Sequence, residues 1–156
     1  MSPRFNVRPA TRRDLPAIAR FWRRSVLSTK VTYEKEDTEA DLLAKLEQRY
    51  PSDWSVEVVE TEGALIAFFA LNRHEAVLEQ IFVDPDHQGQ GIGLDLLDRA
   101  KAAFPTGLTL WTDERNTRAR AFYEREGLTC LRLVKHPVAN LYRAHYRWTP
   151  ATSRDH

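Results

Sequence analysis

An α+β fold, one mixed sheet of about seven strands with helices on both faces, is what the 156-residue sequence predicts. Three observations predict it. Apolar spacing switches repeatedly between alternate-residue and helical periods, in the order strand, two helices, three strands, helix, strand, helix, two strands. Two helical segments are announced by Thr-x-x-Asp or Thr-x-x-Asp-like tetrads, and a third opens directly out of a strand through Gly89, Gly91 and Gly93. The length suits one domain, assigned to residues 1–150 with a disordered tail at 151–156, and is enough to bury roughly two thirds of the unfolded surface.

Phe5 to Arg8 alternates as a first strand, and Thr11-Arg12-Arg13-Asp14 starts a helix whose Leu15, Ile18, Ala19, Trp22 and Val26 share a face. Ser28 to Asp37 is polar and aperiodic, hence a loop. Thr38 to Asp41 caps a second helix carrying Leu42, Leu43, Leu46 and Tyr50, and Pro51 stops it. Trp54 to Glu60 and Leu65 to Leu71 make a hairpin around Glu62-Gly63, and Val77 to Val83 is the next strand. The glycine turn opens a helix through Ile92, Leu96, Leu97, Ala100 and Phe104, ended by Pro105-Thr106-Gly107. Leu108 to Thr112 is strand, Asn116 to Glu126 helix with Gly127 as its C-cap, and strands follow at Leu131 to Lys135 and Leu141 to Trp148.

Composition narrows the partners. The net charge is +1 on a chain that is 29% charged, so no general polyanion-binding surface is expected and nucleic acid is disfavoured as a partner. Arginines at 12–13 and 23–24 read as solvated helix faces, whereas those from Arg115 to Arg125 fall near the glycine turn. No apolar run reaches the roughly 18 residues needed to cross a membrane, and no signal region follows Met1, so a cytoplasmic location is expected. The single cysteine, Cys130, excludes an intramolecular disulfide and multi-cysteine metal sites, and reads as a small buried hydrophobe. The five histidines show no metal-ligand spacing, so no metal is expected.

The stretch Ile81 to Gly93 carries the chemistry. Glycines let the main chain approach a ligand, and the unpaired N–H groups of a helix's first turn, with the positive end of its dipole, hold phosphate without a basic side chain. A dinucleotide fingerprint is incomplete because Leu94 stands where a third glycine belongs, although Asp113 lies at a tolerable distance, and no lysine follows Gly93 to make a P-loop. Gln88-x-x-Gly91-x-Gly93, with Asn116-x-x-Ala119-x-x-Phe122-Tyr123-Glu124-x-x-Gly127-Leu128, resembles the GNAT N-acetyltransferase superfamily. Its commoner first residue is arginine, so Gln88 is a variant. The element order matches that family's along nearly the whole chain.

The resemblance implies the acyl-CoA N-acyltransferase fold, acetyl-CoA as cosubstrate, and a cleft where the fourth and fifth strands splay. It places the pantetheine arm against backbone groups of Ile81, Phe82 and Val83 as an added strand. It implies cofactor contacts from Gln88, Gly89, Gln90, Gly91, Ile92 and Gly93, and from Asn116, Ala119 and Phe122. It also implies a homodimer through exposed strand edges, and an oxyanion donor among the backbone N–H groups near Phe82 or Val83.

Acyl transfer from a thioester to an amine needs a neutral amine, a stabilised oxyanion and a protonated leaving thiolate. Tyr123 is the candidate donor to the thiolate, its competing reading a core aromatic with a tied hydroxyl. Asn116 reads as an N-cap that also contacts the arm. Glu79 is the candidate base: strict alternation puts it with Ile81 and Val83 on one face and Leu78, Gln80 and Phe82 on the other, where an apolar setting would raise its pKa. A solvated strand-end carboxylate is the competing reading, with His74, Glu75 and Tyr33 as fallback relays. His87 reads as an exposed loop residue.

The acceptor is expected to be a primary amine of a small molecule, with no membrane partner. Trp22, Tyr33, Tyr142, Tyr146 and Trp148 are candidate pocket aromatics, though core packing explains most of them. A protein lysine or N-terminal acetyltransferase, or a non-catalytic acyl-CoA-binding regulatory module lacking any need for Tyr123 and Glu79, are the alternatives.

Overall fold

The computed structural model describes residues 5–29, 37–137 and 140–151. The loop expected from Ser28 to Asp37 is corrected at its start, where Ser28 and Thr29 continue the first helix, while residues 30–36 of it, with Tyr33, and residues 152–156 of the tail lie outside the described residues. Seven strands form one sheet: β1 (Asn6–Pro9), β2 (Ser55–Thr61), β3 (Ala64–Asn72), β4 (Val77–Val83), β5 (Leu108–Asp113), β6 (Thr129–Lys135) and β7 (Tyr142–Trp148). Their spatial order is β1-β2-β3-β4-β5-β7-β6. Every neighbouring pair is antiparallel except β4 and β5.

Four helices cover the sheet: α1 (Leu15–Thr29), α2 (Glu39–Arg49), α3 (Ile92–Ala103) and α4 (Thr117–Arg125). Both Thr-to-Asp capping boxes form. Thr38 Oγ1 accepts from Asp41 N at 3.1 Å while Asp41 Oδ2 accepts from Thr38 N at 2.9 Å. At the first box, Arg12–Asp14 is a 3-10 turn that leads into α1. Two apolar cores result. One packs Leu15, Ile18, Trp22, Leu42 and Leu46 of α1 and α2 onto Val56, Val58 and Phe68. The other packs Leu96, Leu97 and Tyr123 of α3 and α4 onto Phe69, Leu78, Leu110 and Tyr146.

One helix end and one strand start need correction. Phe104 lies just past α3 as its C-cap, and β6 begins at Thr129, two residues before the expected Leu131. The alternation along β4 is also broken. Gln80 pairs with Ala70 but Leu78 pairs with the adjacent Leu71, which leaves Glu79 as the extra residue of a β-bulge. Leu78 therefore joins Ile81 and Val83 on the α3/α4 face, while Phe82 turns to Trp22 and Phe68 on the other.

The parallel pair opens the site. β4 and β5 register only at Val77 and Thr109, with Thr109 N bonding Ala76 O at 3.1 Å, and beyond that point the two strands part.

Candidate active site

The gap between β4 and β5 is the mouth of a cleft of about 1000 Å³ that runs through the sheet from Ser25 and Ser28 of α1 to Phe122 and Tyr123 of α4. Its wall is backbone that lost its neighbour. Asp84 N bonds Ile66 O on β3 at 2.8 Å, and antiparallel ladders alternate, so Phe82 and Gln80 turn their backbone groups toward β3. Ile81 and Val83 turn theirs toward the open side. The expectation that all three of Ile81, Phe82 and Val83 offer backbone bonds to an arm is thus corrected at Phe82, whose main chain already serves β3.

At the end of β4 the chain makes a 3-10 turn at Pro85–His87 and enters the glycine cradle. Gly89 and Gly91 have φ of +81° and +83°, and a Cβ at either would meet nothing within 4 Å. The conformation, rather than crowding, demands glycine there. Gly91 is the N-cap of α3 with no side-chain cap, so the first-turn N–H groups stay open for an anion. This concave, donor-rich backbone fits a coenzyme A pyrophosphate. Gln88 folds its Nε2 back to Val83 O at 3.3 Å. Gln90 does not line this cleft; with Gly91 and Ile92 it lines a second pocket of about 720 Å³, together with Asn6, Asp95 and Arg99. Gly93 and Ile92 line the main cleft, as does His87, which is half-buried rather than exposed.

From the far side, α4 supplies Asn116, Ala119, Phe122 and Tyr123 to the same cleft. Asn116 Oδ1 accepts from Ala119 N at 3.1 Å, the predicted cap, which leaves its amide nitrogen for a ligand. Tyr123 is buried, with its ring 5.8 Å from that of Tyr146 and 5.4 Å from that of Phe122. Burial, reinforced by Tyr146, pushes its phenol well above the ordinary tyrosine value, so it stays protonated.

Glu79 lines the cleft half-buried and accepts from Asn72 Nδ2 at 3.3 Å. His74 and Glu75 are exposed in the turn before β4, and His74 Nε2 lies 3.0 Å from Ser52 O. Neither is among the residues lining the cleft.

Sequence reasoning missed a polar network behind Tyr123. The Tyr146 hydroxyl donates to Glu124 Oε2 at 2.7 Å and accepts from Arg120 Nε at 2.9 Å, fastening α4 to β7. Arg120 and Glu124 sit four apart on α4, which is the signal that was available. Also missed was Trp111, which lines the cleft from β5. Of the proposed pocket aromatics, Trp22 and Tyr146 are core residues and Tyr142 is exposed.

The model of the acetyltransferase (GNAT) family matches residues 17–128. The chain belongs to this family. It is 30% identical over 128 residues to the peptidyl-lysine N-acetyltransferase YjaB of Salmonella typhimurium, covering 78% of this chain and 81% of that one. In fold it is similar to the spermidine N-acetyltransferase of Vibrio cholerae solved with CoA and spermine, at a TM-score of 0.71 and 22% identity, covering 95% and 96% of the two chains. The solution structure of apo YjaB from Escherichia coli gives a TM-score of 0.72 at 22% identity, covering 94% of this chain and 99% of that one. This acetyltransferase thus has the acyl-CoA N-acyltransferase fold, and among its described residues no helix is long and apolar enough to cross a membrane.

Proposed function

We propose that the protein transfers an acetyl group from acetyl-CoA to the primary amine of a small molecule, by direct attack in a ternary complex. The observation that carries the reading is the meeting of three features in one cleft: the backbone N–H groups of Ile81 and Val83 turned to the open side, the glycine cradle, and a buried, protonated Tyr123. Acetyl-CoA supplies an activated thioester. The cradle from Gln88 to Gly93 and the amide of Asn116 bind and orient its phosphate and pantetheine portions. Glu79, directly or through water, takes the proton of the attacking ammonium, since an amine with a pKa of about 10.4 is charged at neutral pH. As the new N–C bond forms and the C–S bond breaks, the Tyr123 hydroxyl gives its proton to the departing sulfur. A non-catalytic CoA-binding module would need neither side chain.

The small-molecule acceptor is supported by the cleft's passage through the sheet past Ser25 and Ser28, and by a fold relative that acts on spermidine. A protein lysine acceptor is the second reading, favoured by the 30% identity to a peptidyl-lysine N-acetyltransferase. A homodimer through β6 is in keeping with Leu131, Leu133 and Val134 exposed on that edge strand, and gel filtration tests it. The deciding experiment is thermal melting with acetyl-CoA, CoA and NAD in parallel, then free-thiol release against amines and lysine peptides. Stabilisation by the CoA pair with turnover of free amines supports the proposal. Turnover of peptides alone moves the acceptor to proteins, and no response to CoA defeats it.

A further inference from the structure

The turn that joins β3 to β4 is organised by one side chain. Asn72 closes β3 opposite Val77, the first residue of β4, and its Oδ1 accepts from His74 N at 3.0 Å and from Glu75 N at 3.1 Å. This is the local turn that an asparagine makes with backbone two and three positions on. The turn stands at the closed end of the cleft, since Ala76 O is the acceptor that ties it to Thr109 of β5. With two N–H groups on its oxygen, the Asn72 amide has one orientation, and its nitrogen is left to donate elsewhere. It donates to Glu79 Oε2 at 3.3 Å.

Glu79 has few other restraints. As the extra residue of the bulge it has no partner of its own across the strand pair, and a glutamate side chain ordinarily samples several rotamers. Among the described residues, the Asn72 amide is the one hydrogen-bond donor to its carboxylate, and Oε1 has none. The charged and titratable groups around it come from the turn, where Arg73, His74 and Glu75 are exposed, and from the cleft wall, where His87, Asp113, Arg118, Tyr123, Arg125 and Glu126 lie. Among the described residues none of these bonds or ion-pairs with Glu79: Asp113 is held by the Arg115 guanidinium at 2.7 Å, and Arg125 is 3.6 Å from Glu126.

We infer that Asn72 is a positioning residue of the transfer reaction: it holds one oxygen of Glu79 in the charged form and leaves the other to take a proton from the acceptor ammonium, directly or through water. The inference rests on the reading of Glu79 as the base and names the group that keeps it in place. An amide nitrogen donates and does not accept, so it favours the carboxylate over the carboxylic acid and does not compete for the proton. The nitrogen lone pair so released attacks the thioester carbon, and the C–S bonding pair leaves with sulfur, which takes the Tyr123 proton. The second proton that the nitrogen sheds as the amide forms restores Tyr123 through water, and Glu79 passes the first to solvent.

The test is the pH dependence of kcat and kcat/KM, read by free-thiol release with the amine that the wild type turns over best among spermidine, amino acids and lysine peptides. It is run on wild type, Asn72→Ala, Asn72→Asp and Glu79→Gln, with CoA-dependent melting as a check on the fold. In Glu79→Gln the rate should fall by roughly a hundredfold or more and the acid-side limb of the profile should disappear. In Asn72→Ala kcat should fall about tenfold with the KM for acetyl-CoA unchanged, and the acid limb should move about one unit toward neutral pH. Asn72→Asp keeps an oxygen for the two turn N–H groups while replacing the donor by a second carboxylate, so the turn survives and the limb moves further still. This variant decides the matter if Asn72→Ala fails to fold. An acid limb unmoved in Asn72→Asp, or a fall in kcat with no movement of the limb, overturns the inference and leaves Asn72 a turn residue only. A slow, pH-flat Glu79→Gln beside Asn72 variants of wild-type behaviour defeats the positioning role alone. Glu79→Gln with wild-type rate and profile defeats the base assignment on which it rests, and absence of thiol release from the wild type with any amine defeats the transferase reading and this inference with it.

Discussion

Tyr123 joins burial to a place on the cleft wall, and that conjunction makes the side chain testable. A phenol held neutral is a proton donor throughout the neutral range, and its raised pKa puts any loss of rate from its ionisation above the ordinary tyrosine value of about 10. Tyr123→Phe should lower kcat by roughly tenfold to ten-thousandfold while leaving the KM for acetyl-CoA nearly as it was. Steady-state kinetics decides this, and an unaltered kcat would remove Tyr123 from the mechanism. Gly91→Val probes a different property. With φ at +83°, a β-branched residue there is strained whatever space surrounds it, so CoA-dependent thermal stabilisation should be lost. Normal CoA affinity in that variant would defeat the cradle assignment. Gly91 was legible in the sequence from a glycine pattern after a strand, whereas Tyr123, two turns into a capped helix, reads equally as a core aromatic by spacing and was singled out only by the resemblance to the GNAT family. Glu79 was only half legible. The bulge that singles it out depends on how β3 and β4 pair, which no local pattern records.

At the scale of elements, the start of α1 is stapled to the sheet by one side chain. Arg8 on β1 donates to both carboxylate oxygens of Asp14, at 2.9 Å each, and to Glu60 on β2 at 3.1 and 2.9 Å. Asp14 Oδ2 also accepts from Thr11 N at 2.7 Å, closing the capping box. The hydrogen bonds from Arg8 hold the carboxyls of Asp14 and Glu60 below the usual carboxylate range, against the opposing effect of burial. A folded pKa below the unfolded value means stability that is fully present above about pH 4 and is lost as pH falls through the depressed native values. Asp14→Asn should therefore cost about 1 kcal/mol at neutral pH, and the gap to wild type should narrow in acid. Urea denaturation at neutral pH and below pH 4 checks it, and a gap that does not change with pH would show that the charge contributes nothing. The Thr-to-Asp tetrads announced both caps from the sequence. The tie of the first of them, through Arg8, to Glu60, some fifty positions along the chain, rests on the β1–β2 register and was not visible there.

The whole molecule is two half-sheets, β1 to β4 and β5 to β7, joined along the sheet by one registered pair at the closed end of the cleft. The element order was readable in advance because each segment has its own period, whereas the placing of β7 between β5 and β6 is set by pairings distant in sequence. A ligand lying between β4 and β5 would supply the contacts that the parting strands forgo, and so bind the native state over the unfolded one. At a hundredfold excess over its dissociation constant, CoA should add about 2.7 kcal/mol. That amounts to roughly 5 to 10 °C in melting temperature for a chain of this size. Stabilisation alone would not locate the ligand, but hydrogen exchange does. The amides of Ile81 and Val83 face the open side and should exchange more slowly once CoA is bound. The Phe82 amide, already committed to β3, should change far less. An alternating gain along β4 is the mark of an arm seated as an extra strand. Equal change at all three residues, or none at Ile81 and Val83 while CoA raises the melting temperature, would place the ligand elsewhere in the cleft.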